Sequence, residues 1–209
     1  GSIALKSGVT LNLQRNAVLA GSVKRSDYDA YKSPALIVAE AQQSIGISGE
    51  GIVDGQAEML LKDIFAIAAE KAKRDGSSNQ ARPPEGARTN LVHMRDCEGV
   101  TVKGVTFKDA TSWVTHYERC SNLIIDSIRI ESVTYWNNDG IDITDCKKVR
   151  ITNAQINSSD DGICLKSETR GSGCEDVWVS DCRIRSSANA FKLGTSSHGG
   201  FKNITVRNL

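Results

Sequence analysis

The chain has 209 residues, of which 39% are hydrophobic and 24% are charged, with a formal net charge of +1. This length provides one sizeable hydrophobic core and is short for two domains. The near-zero charge does not favour a nucleic-acid partner, and no apolar run reaches the roughly 18 residues that a membrane-spanning helix needs. Isoleucine and valine together far outnumber leucine, which favours strands over helices.

Five segments share a pattern with apolar residues at the first, third and sixth positions. Their first positions are Val100, Leu123, Val149, Val177 and Ile204, at steps of 23, 26, 28 and 27 residues. Alternation with period two predicts short strands that bury one face. A unit of this size cannot bury that face alone, so it has to stack on its neighbours.

No amphipathic helix separates these repeats, which argues against alternating strands and helices. We therefore predict an all-β fold, a single-stranded parallel β-helix in which equivalent residues of successive coils stack at about 4.8 Å. Segments 9–13 and 45–53 alternate in the same way and are interpreted as earlier, degenerate coils. Residues 1–209 are predicted to form a single β-helix domain, with further coils expected on either side.

The segment 57–88 interrupts the strand pattern. Its first part, from Glu58 to Lys73, has apolar residues at helical spacing, and the stretch that begins at Asp75 has the composition of a loop. We predict a helix and a loop that leave the solenoid. Long insertions are often functional, so this excursion is either a lid or wall of a binding cleft or a packing element.

Four of the six cysteines stand three residues before a repeat start, namely Cys97, Cys120, Cys146 and Cys174. They are predicted to occupy one corner of successive coils. The close cysteine pair that is typical of zinc sites is absent. Buried free thiols that pack as small hydrophobic side chains are the favoured interpretation. Disulfides between adjacent coils and a metal site are the alternatives.

An acidic motif recurs on successive coils. When the apolar pairs that follow each motif are aligned, Asp139, Asp161 and Asn189 fall in one column, and Asp160 lies beside it. Three carboxylates so close together repel one another, which raises the pKa of at least one of them. One protonated acid beside ionised carboxylates is what glycosidic cleavage requires. A calcium site or a solvated acidic turn is the alternative interpretation.

These motifs resemble those of the polygalacturonases and their relatives in glycoside hydrolase family 28. Asn137-Asn138-Asp139 is similar to the family's N-T-D motif and Asp160-Asp161 to its D-D motif, and segments 5–11 and 49–55 resemble its N-terminal coils. The resemblance implies a right-handed parallel β-helix. It also implies an enzyme that hydrolyses the α-linked galacturonic-acid polymers of pectin with inversion of configuration.

By this resemblance Asp160 is the general acid, and Asp139 and Asp161 hold and deprotonate the attacking water. Asn189 stands where the family's G-H-G motif has its histidine, and the R-I-K motif is expected about one coil later, beyond Leu209. The predicted carboxylate spacing does not itself give inversion. No cofactor and no metal are implied, because three carboxylates suffice for acid–base chemistry.

Five further side chains are candidates for substrate binding, namely Asn189, Lys192, Lys166, Trp113 and His116. Lys192 is interpreted as a ligand of a substrate carboxylate or as a solvated surface lysine. Lys166 is expected to pair with an acid of the cluster, with a structural role slightly favoured. Trp113 and His116, like Trp136, either line the cleft, where aromatic rings stack on sugars, or pack in the corners.

The favoured function is a monomeric, secreted or periplasmic hydrolase of pectic polysaccharide, with neither a nucleic acid nor a membrane as partner. One alternative is a calcium-dependent polysaccharide lyase on the same scaffold, which would release an unsaturated product that absorbs in the ultraviolet. The other is a non-catalytic carbohydrate-binding β-helix, which would release no reducing ends.

Overall fold

The computed structural model describes residues 1–28, 34–77 and 83–209. Its strands, numbered in chain order, form three parallel sheets around one core. The first sheet consists of β1 (Ile3–Ala4), β4 (Ala35–Glu40), β7 (Asn90–Arg95), β10 (Thr115–Glu118), β13 (Ile141–Thr144), β16 (Ile163–Ser167) and β19 (Phe191–Ser197). The second consists of β2 (Thr10–Leu13), β5 (Gln43–Gly49), β8 (Glu98–Lys103), β11 (Ser121–Asp126), β14 (Lys147–Thr152), β17 (Cys174–Ser180) and β20 (Phe201–Arg207). The third consists of β3 (Val18–Ala20), β6 (Ile52–Asp54), β9 (Thr106–Lys108), β12 (Arg129–Ser132), β15 (Gln155–Ser158) and β18 (Arg183–Ser186).

The register of the second sheet confirms the predicted repeat. Leu123 pairs with both Val100 and Val149, and Val177 pairs with Val149 and Ile204. The first four of these side chains are buried and Ile204 packs against them at the end of the core. The chain therefore folds as a right-handed, single-stranded parallel β-helix. Each coil forms one level of the solenoid, and this level is here called a rung.

The corner cysteines stack as predicted. All six cysteines of the chain are free and buried. The thiols of Cys120, Cys146 and Cys174 lie 3.4 Å from backbone carbonyl oxygens of the preceding coil, to which they donate hydrogen bonds. Burial raises the pKa of Cys174 to about 11, so these thiols pack as small apolar groups with a weak hydrogen bond.

The predicted helix is present as α1 (Ala57–Asp75), and a short 3₁₀ turn, Glu85–Ala87, precedes β7; another, Arg25–Tyr28, follows β3. Of the predicted loop, residues 78–82 lie outside the described residues. Helix α1 buries one face and ends at Gly76, which takes a left-handed conformation (φ 63°) and donates to the carbonyl of Ala72. Within the described ranges, no helix is long and apolar enough to cross a membrane.

The excursion reaches the segment that leads into the acidic motif. The Phe65 ring of α1 meets the Tyr135 ring edge-on, with 5.9 Å between centroids. The buried guanidinium of Arg88 donates to the carbonyl oxygen of Trp136 at 3.0 Å and to Oδ1 of Asn137 at 3.2 Å. Phe65 and Arg88 therefore contact the segment that leads into the acidic motif, and the assignment of the excursion as a wall of a cleft stays a prediction.

Two glycines allow adjacent coils to approach closely beside the acids. A Cβ atom added at Gly140 would lie 2.5 Å from the carbonyl oxygen of Gly162, and one added at Gly162 would lie 2.3 Å from the Ile184 side chain. Neither distance is sterically allowed. The Asp-Gly pairs at 139–140 and 161–162 thus combine an acid with the residue that lets the next rung pack against it.

Candidate active site

The acids lie where the chain enters the first sheet. The N–H of Gly140 donates to the carbonyl oxygen of Asp161 at 2.8 Å, and the N–H of Gly162 donates to that of Asn189 at 2.8 Å. This ladder stacks Asp139, Asp161 and Asn189, here called the acid column. One oxygen of each of the carboxylates of Asp139, Asp160 and Asp161 lies within 4.8 Å of the other two. The structure thus brings together the three acids that the alignment predicted to be neighbours.

Asp139 is an almost fully buried carboxylate. Its exposed fraction is 4%, and its Oδ1 has no hydrogen-bond partner among the described residues. Its Oδ2 lies 3.6 Å from Nζ of Lys166. Burial, reinforced by nearby carboxylates, raises the pKa of Asp139 to about 8. Burial is the main cause, and among the carboxylates Asp142 contributes more than Asp160 and Asp161, the two acids whose crowding was predicted to raise a pKa.

Asp161, one rung above, is held as an anion. Asn189 Nδ2 donates to its Oδ1 at 2.7 Å, and Lys192 Nζ donates to its Oδ2 at 2.8 Å. Burial by itself raises the pKa of Asp161, but the hydrogen bonds from Lys192 and Asn189 outweigh it, and the pKa is lowered. The pKa of Asp161 is therefore lowered, whereas the pKa of Asp139, its neighbour in the acid column, is raised.

Asp160 is the most accessible of the three acids. Its Oδ2 accepts a hydrogen bond from Asn137 Nδ2 at 3.3 Å, and its Oδ1 accepts one from the backbone N–H of Asp161 at 2.9 Å. Within the part of the chain that the structure describes, no cationic nitrogen lies within 4.0 Å of it. Asp160 is thus the one of the three acids that has no lysine contact within the described residues.

A fourth carboxylate, Asp142, was missed by the sequence-based argument. It is fully buried on β13 and forms an ion pair with Lys166. Burial raises the pKa of Asp142 to about 6, against the opposing charge of Lys166. The expected pairing of Lys166 with an acid is confirmed, but its shortest contact is with Asp142 and not with Asp139. Because Asp142 pairs with Cys164 in register, Lys166 is its diagonal neighbour, and this spacing was a readable signal.

Lys166 is enclosed on its remaining sides. Its Nζ donates to Cys164 Sγ at 3.1 Å and lies 4.5 Å from the centroid of the Trp113 ring. Burial works to lower the pKa of Lys166, but the carboxylates of Asp142 and Asp139 outweigh it and raise it. The lysine is therefore a permanent positive charge beneath an aromatic cover.

The aromatic candidates occupy different positions around the acids. The edge of Trp113 packs against His116, with 4.9 Å between ring centroids, and His116 stacks on His93 at 4.7 Å. Burial, with the neighbouring His93, lowers the pKa of His116 to about 3, so His116 is neutral and hydrogen-bonds Thr144 at 3.0 Å. Trp136 is 56% exposed and stacks on Tyr135, with 5.6 Å between ring centroids.

The chain matches the family model of glycosyl hydrolases family 28 over residues 1–172. The chain belongs to this family. It is 22% identical over 255 aligned residues to the exo-poly-alpha-D-galacturonosidase of Dickeya chrysanthemi, with 100% of this chain and 42% of that protein covered. The chain thus spans about two fifths of that relative's length.

Solved structures of two polygalacturonases share the fold. The polygalacturonase from Erwinia carotovora ssp. carotovora superposes with a TM-score of 0.76 at 21% identity, covering 99% of this chain and 57% of that one. The family 28 exopolygalacturonase of Yersinia enterocolitica superposes with a TM-score of 0.72 at 20% identity, covering 100% and 50%. At these identities the likeness establishes the β-helix alone.

The chain departs from the family motifs at two asparagines. Asn138 stands at the threonine of N-T-D and uses its whole amide: Nδ2 donates to two carbonyls of the preceding coil, and Oδ1 accepts from the Ser132 hydroxyl and the Tyr135 N–H. It therefore fixes the turn before Asp139. Asn189, which by the resemblance stands at the histidine of G-H-G and lies beyond the residues matched to the family model, contacts Asp161 directly.

Two sets of side chains are close enough to share a cation, Asp139 with Asp160 and Asp161, and Asp139 with Asp142 and Cys164. An ammonium group already serves each set, because Lys192 pairs with Asp161 in the first and Lys166 pairs with Asp142 in the second. These positive charges oppose the entry of a metal ion. The site is better suited to acid–base chemistry than to metal binding.

Proposed function

We propose that this protein is a glycoside hydrolase that cleaves α-linked galacturonic-acid polymers of pectin by acid–base catalysis. The observation that carries the proposal is the convergence of Asp139, Asp160 and Asp161 within 4.8 Å in a member of family 28. Such a cluster supplies both partners of glycosidic hydrolysis, a carboxyl that donates a proton and a carboxylate that accepts one.

The three acids divide these roles by their surroundings. Asp160, the accessible acid with no cation in contact, protonates the oxygen of the leaving sugar. Asp161 and Asp139 hold the attacking water: Asp161 is ionised, and Asp139 offers the buried Oδ1 that has no partner among the described residues. Water bound between them loses its proton to a carboxylate as the bond to the sugar forms.

Inversion of configuration is part of the proposal and needs its own test. Inverting enzymes usually separate their two carboxyl groups by roughly 6.5–9.5 Å and retaining ones by roughly 5–5.5 Å, whereas oxygens of these acids come within 4.8 Å. Inversion is supported by family membership and not by this spacing. Proton NMR of the first product formed gives its anomeric configuration, and a retained anomer would refute inversion.

Activity is tested by the reducing ends released from polygalacturonate, rhamnogalacturonan and an uncharged glucan. We expect release from a uronate-containing polymer, its loss in Asp160→Asn, and normal release in Asp181→Asn, which changes an exposed acid of the solenoid surface. A calcium-dependent, ultraviolet-absorbing product would show a lyase instead. Polymer binding without any cleavage would show a carbohydrate-binding module.

We also propose that the enzyme acts as a monomer outside the cytoplasm, secreted or periplasmic. Pectic polymers are too large to cross a membrane intact, which supports the location. All three acids and both lysines come from one chain, which supports the monomer. Size-exclusion chromatography with light scattering, and fractionation of the producing cells, test the two statements separately.

A further inference from the structure

Both side-chain oxygens of Asp161 are occupied by donors from the next coil. Asn189, directly above it in the acid column, binds Oδ1, and Lys192 of β19 binds Oδ2. The Asp161 side chain is only 2% exposed, whereas that of Lys192 is 33% exposed. The two donors, here called the clamp, come from one short segment, so a single rung fixes the orientation and the charge of the carboxylate.

The clamp has to act against a strongly unfavourable setting. Asp161 is buried beside the carboxylates of Asp139 and Asp160, and a buried carboxylate among like charges tends to take up a proton. Asp139 shows this outcome, because it lacks a comparable pair of donors. Burial and the neighbouring Asp142 raise the pKa of Asp139, whereas Lys192 and Asn189 offset burial at Asp161.

We infer that Lys192, assisted by Asn189, is a positioning residue that keeps Asp161 ionised and oriented toward the attacking water. This rests on the proposed function for its catalytic consequence, but not for the effect on Asp161 itself. The competing role of Lys192 is direct binding of a substrate carboxylate. The two differ in outcome, since a substrate ligand acts on binding and a clamp acts on the state of Asp161 before any substrate arrives.

The test compares Lys192→Met with Lys192→Arg, with Asn189→Ala and with the matched control Lys202→Met. Lys202 belongs to the same final coil and pairs with Glu175 on the surface at 2.6 Å. Carboxyl ¹³C NMR titration follows Asp161, whose signal is assigned by its loss in Asp161→Asn. In Lys192→Met we expect the pKa of Asp161 to rise by about 1–3 pH units, as when an opposite charge is removed. Lys192→Arg should restore it, and Lys202→Met should leave it unchanged.

Kinetics provide the second readout. We expect Lys192→Met to lower kcat about 10- to 100-fold with little change in KM, as for a misplaced reacting group, and to shift the acidic limb of the pH–rate profile upward. An unchanged Asp161 titration would overturn the clamp, as would a large rise in KM at constant kcat. If Lys192→Met does not fold, a raised pKa of Asp161 in Asn189→Ala supports the clamp and an unchanged one overturns it. The NMR result stands even if no galacturonan is cleaved, so failure of the proposed function is recognised separately.

Discussion

Lys166 and Asp142 form a buried ion pair, with the Asp142 side chain fully buried and that of Lys166 11% exposed. The same ammonium lies 3.6 Å from Asp139, so one charge serves two carboxylates on β13 and its entry turn. A buried pair offers little net stability when intact, but losing one partner leaves an uncompensated charge.

Lys166→Met is therefore expected to lower the free energy of unfolding by about 3–5 kcal/mol. Adding Asp142→Asn should recover part of this loss, because the stranded carboxylate is removed. Urea unfolding at pH 7 measures both variants. Lys62→Met, which breaks the exposed pair with Glu58, should change stability by less than about 1 kcal/mol. Equal effects at Lys166 and Lys62 would contradict the prediction.

Asp160→Asn keeps the shape of the side chain and removes its transferable proton. We expect turnover to fall about 10²- to 10⁴-fold, the usual contribution of a positioned acid. Asp161→Asn should also lose activity, because water activation needs the charge of Asp161. Asp139→Asn should lose activity because an amide nitrogen replaces one of the carboxyl oxygens that position the water, while Asn189→Ala should lose less. Initial rates of reducing-end release, with folding checked by circular dichroism, decide the matter. A defect in Asn189→Ala as deep as that of the acids would mean that the catalytic groups are misassigned.

Asp139→Asn should stabilise the protein in a pH-dependent way. The pKa of Asp139 is about 8 in the folded chain against an ordinary value of 3.8. The folded state therefore binds more protons between these values, and stability falls as pH rises through this window. Asparagine does not ionise and escapes this loss. At pH 8, thermal unfolding should give the variant a free energy of unfolding at least about 1 kcal/mol higher than that of the unchanged protein, or a Tm about 2–4 °C higher. The gain should vanish near pH 4, and a gain independent of pH would contradict this cause.

Gly140→Ala should destabilise the coil that carries Asp139. The added methyl group would lie 2.5 Å from the carbonyl oxygen of Gly162, and forcing the rungs apart costs about 1–3 kcal/mol. Activity should fall as well, since the distance between Asp139 and Asp161 in the acid column changes. Gly86→Ala is the matched control, because nothing lies within 4 Å of a Cβ atom at that position. Equal stability of the two variants would argue against tight rung packing at this point.

The six buried thiols should all be titratable in denaturant without a reductant, since none is paired. In the folded protein we expect them to react slowly, because burial makes them inaccessible to the reagent. A chromogenic thiol reagent measures the number of thiols in denaturant and their rate of reaction in the folded protein. Recovery of two or four thiols from the unfolded chain would reveal a disulfide.

Much of the fold could be predicted because the register of a β-helix follows from the positions of apolar residues in each repeat. The inward column from Val100 to Ile204 and the acid column both follow from aligning apolar alternation, which is a local property of each coil. The co-location of Asp139, Asp160 and Asp161 was readable for the same reason.

What escaped prediction depends on contacts between coils. Asp142 sits at an outward position, and alternation alone makes such a position exposed, yet it is fully buried. Its burial follows from neighbours on other rungs, with Lys166 paired to it and Trp113 over that lysine. The sequence likewise does not predict the clamp on Asp161, because the pattern makes Lys192 a substrate ligand or a surface lysine. Its contact with the rung below depends on side-chain direction.

The backbone hydrogen bonds of the first sheet fix the spacing of the acid column independently of the length of each coil. Coil lengths drift between 23 and 28 residues, yet Asp139, Asp161 and Asn189 remain stacked because the main chain sets their spacing. Turns can thus differ in length, or carry an inserted helix such as Ala57–Asp75, without moving the reacting groups. Exchange of the turns that carry none of the three acids would therefore leave the acid column in place while it changes the surface around the column.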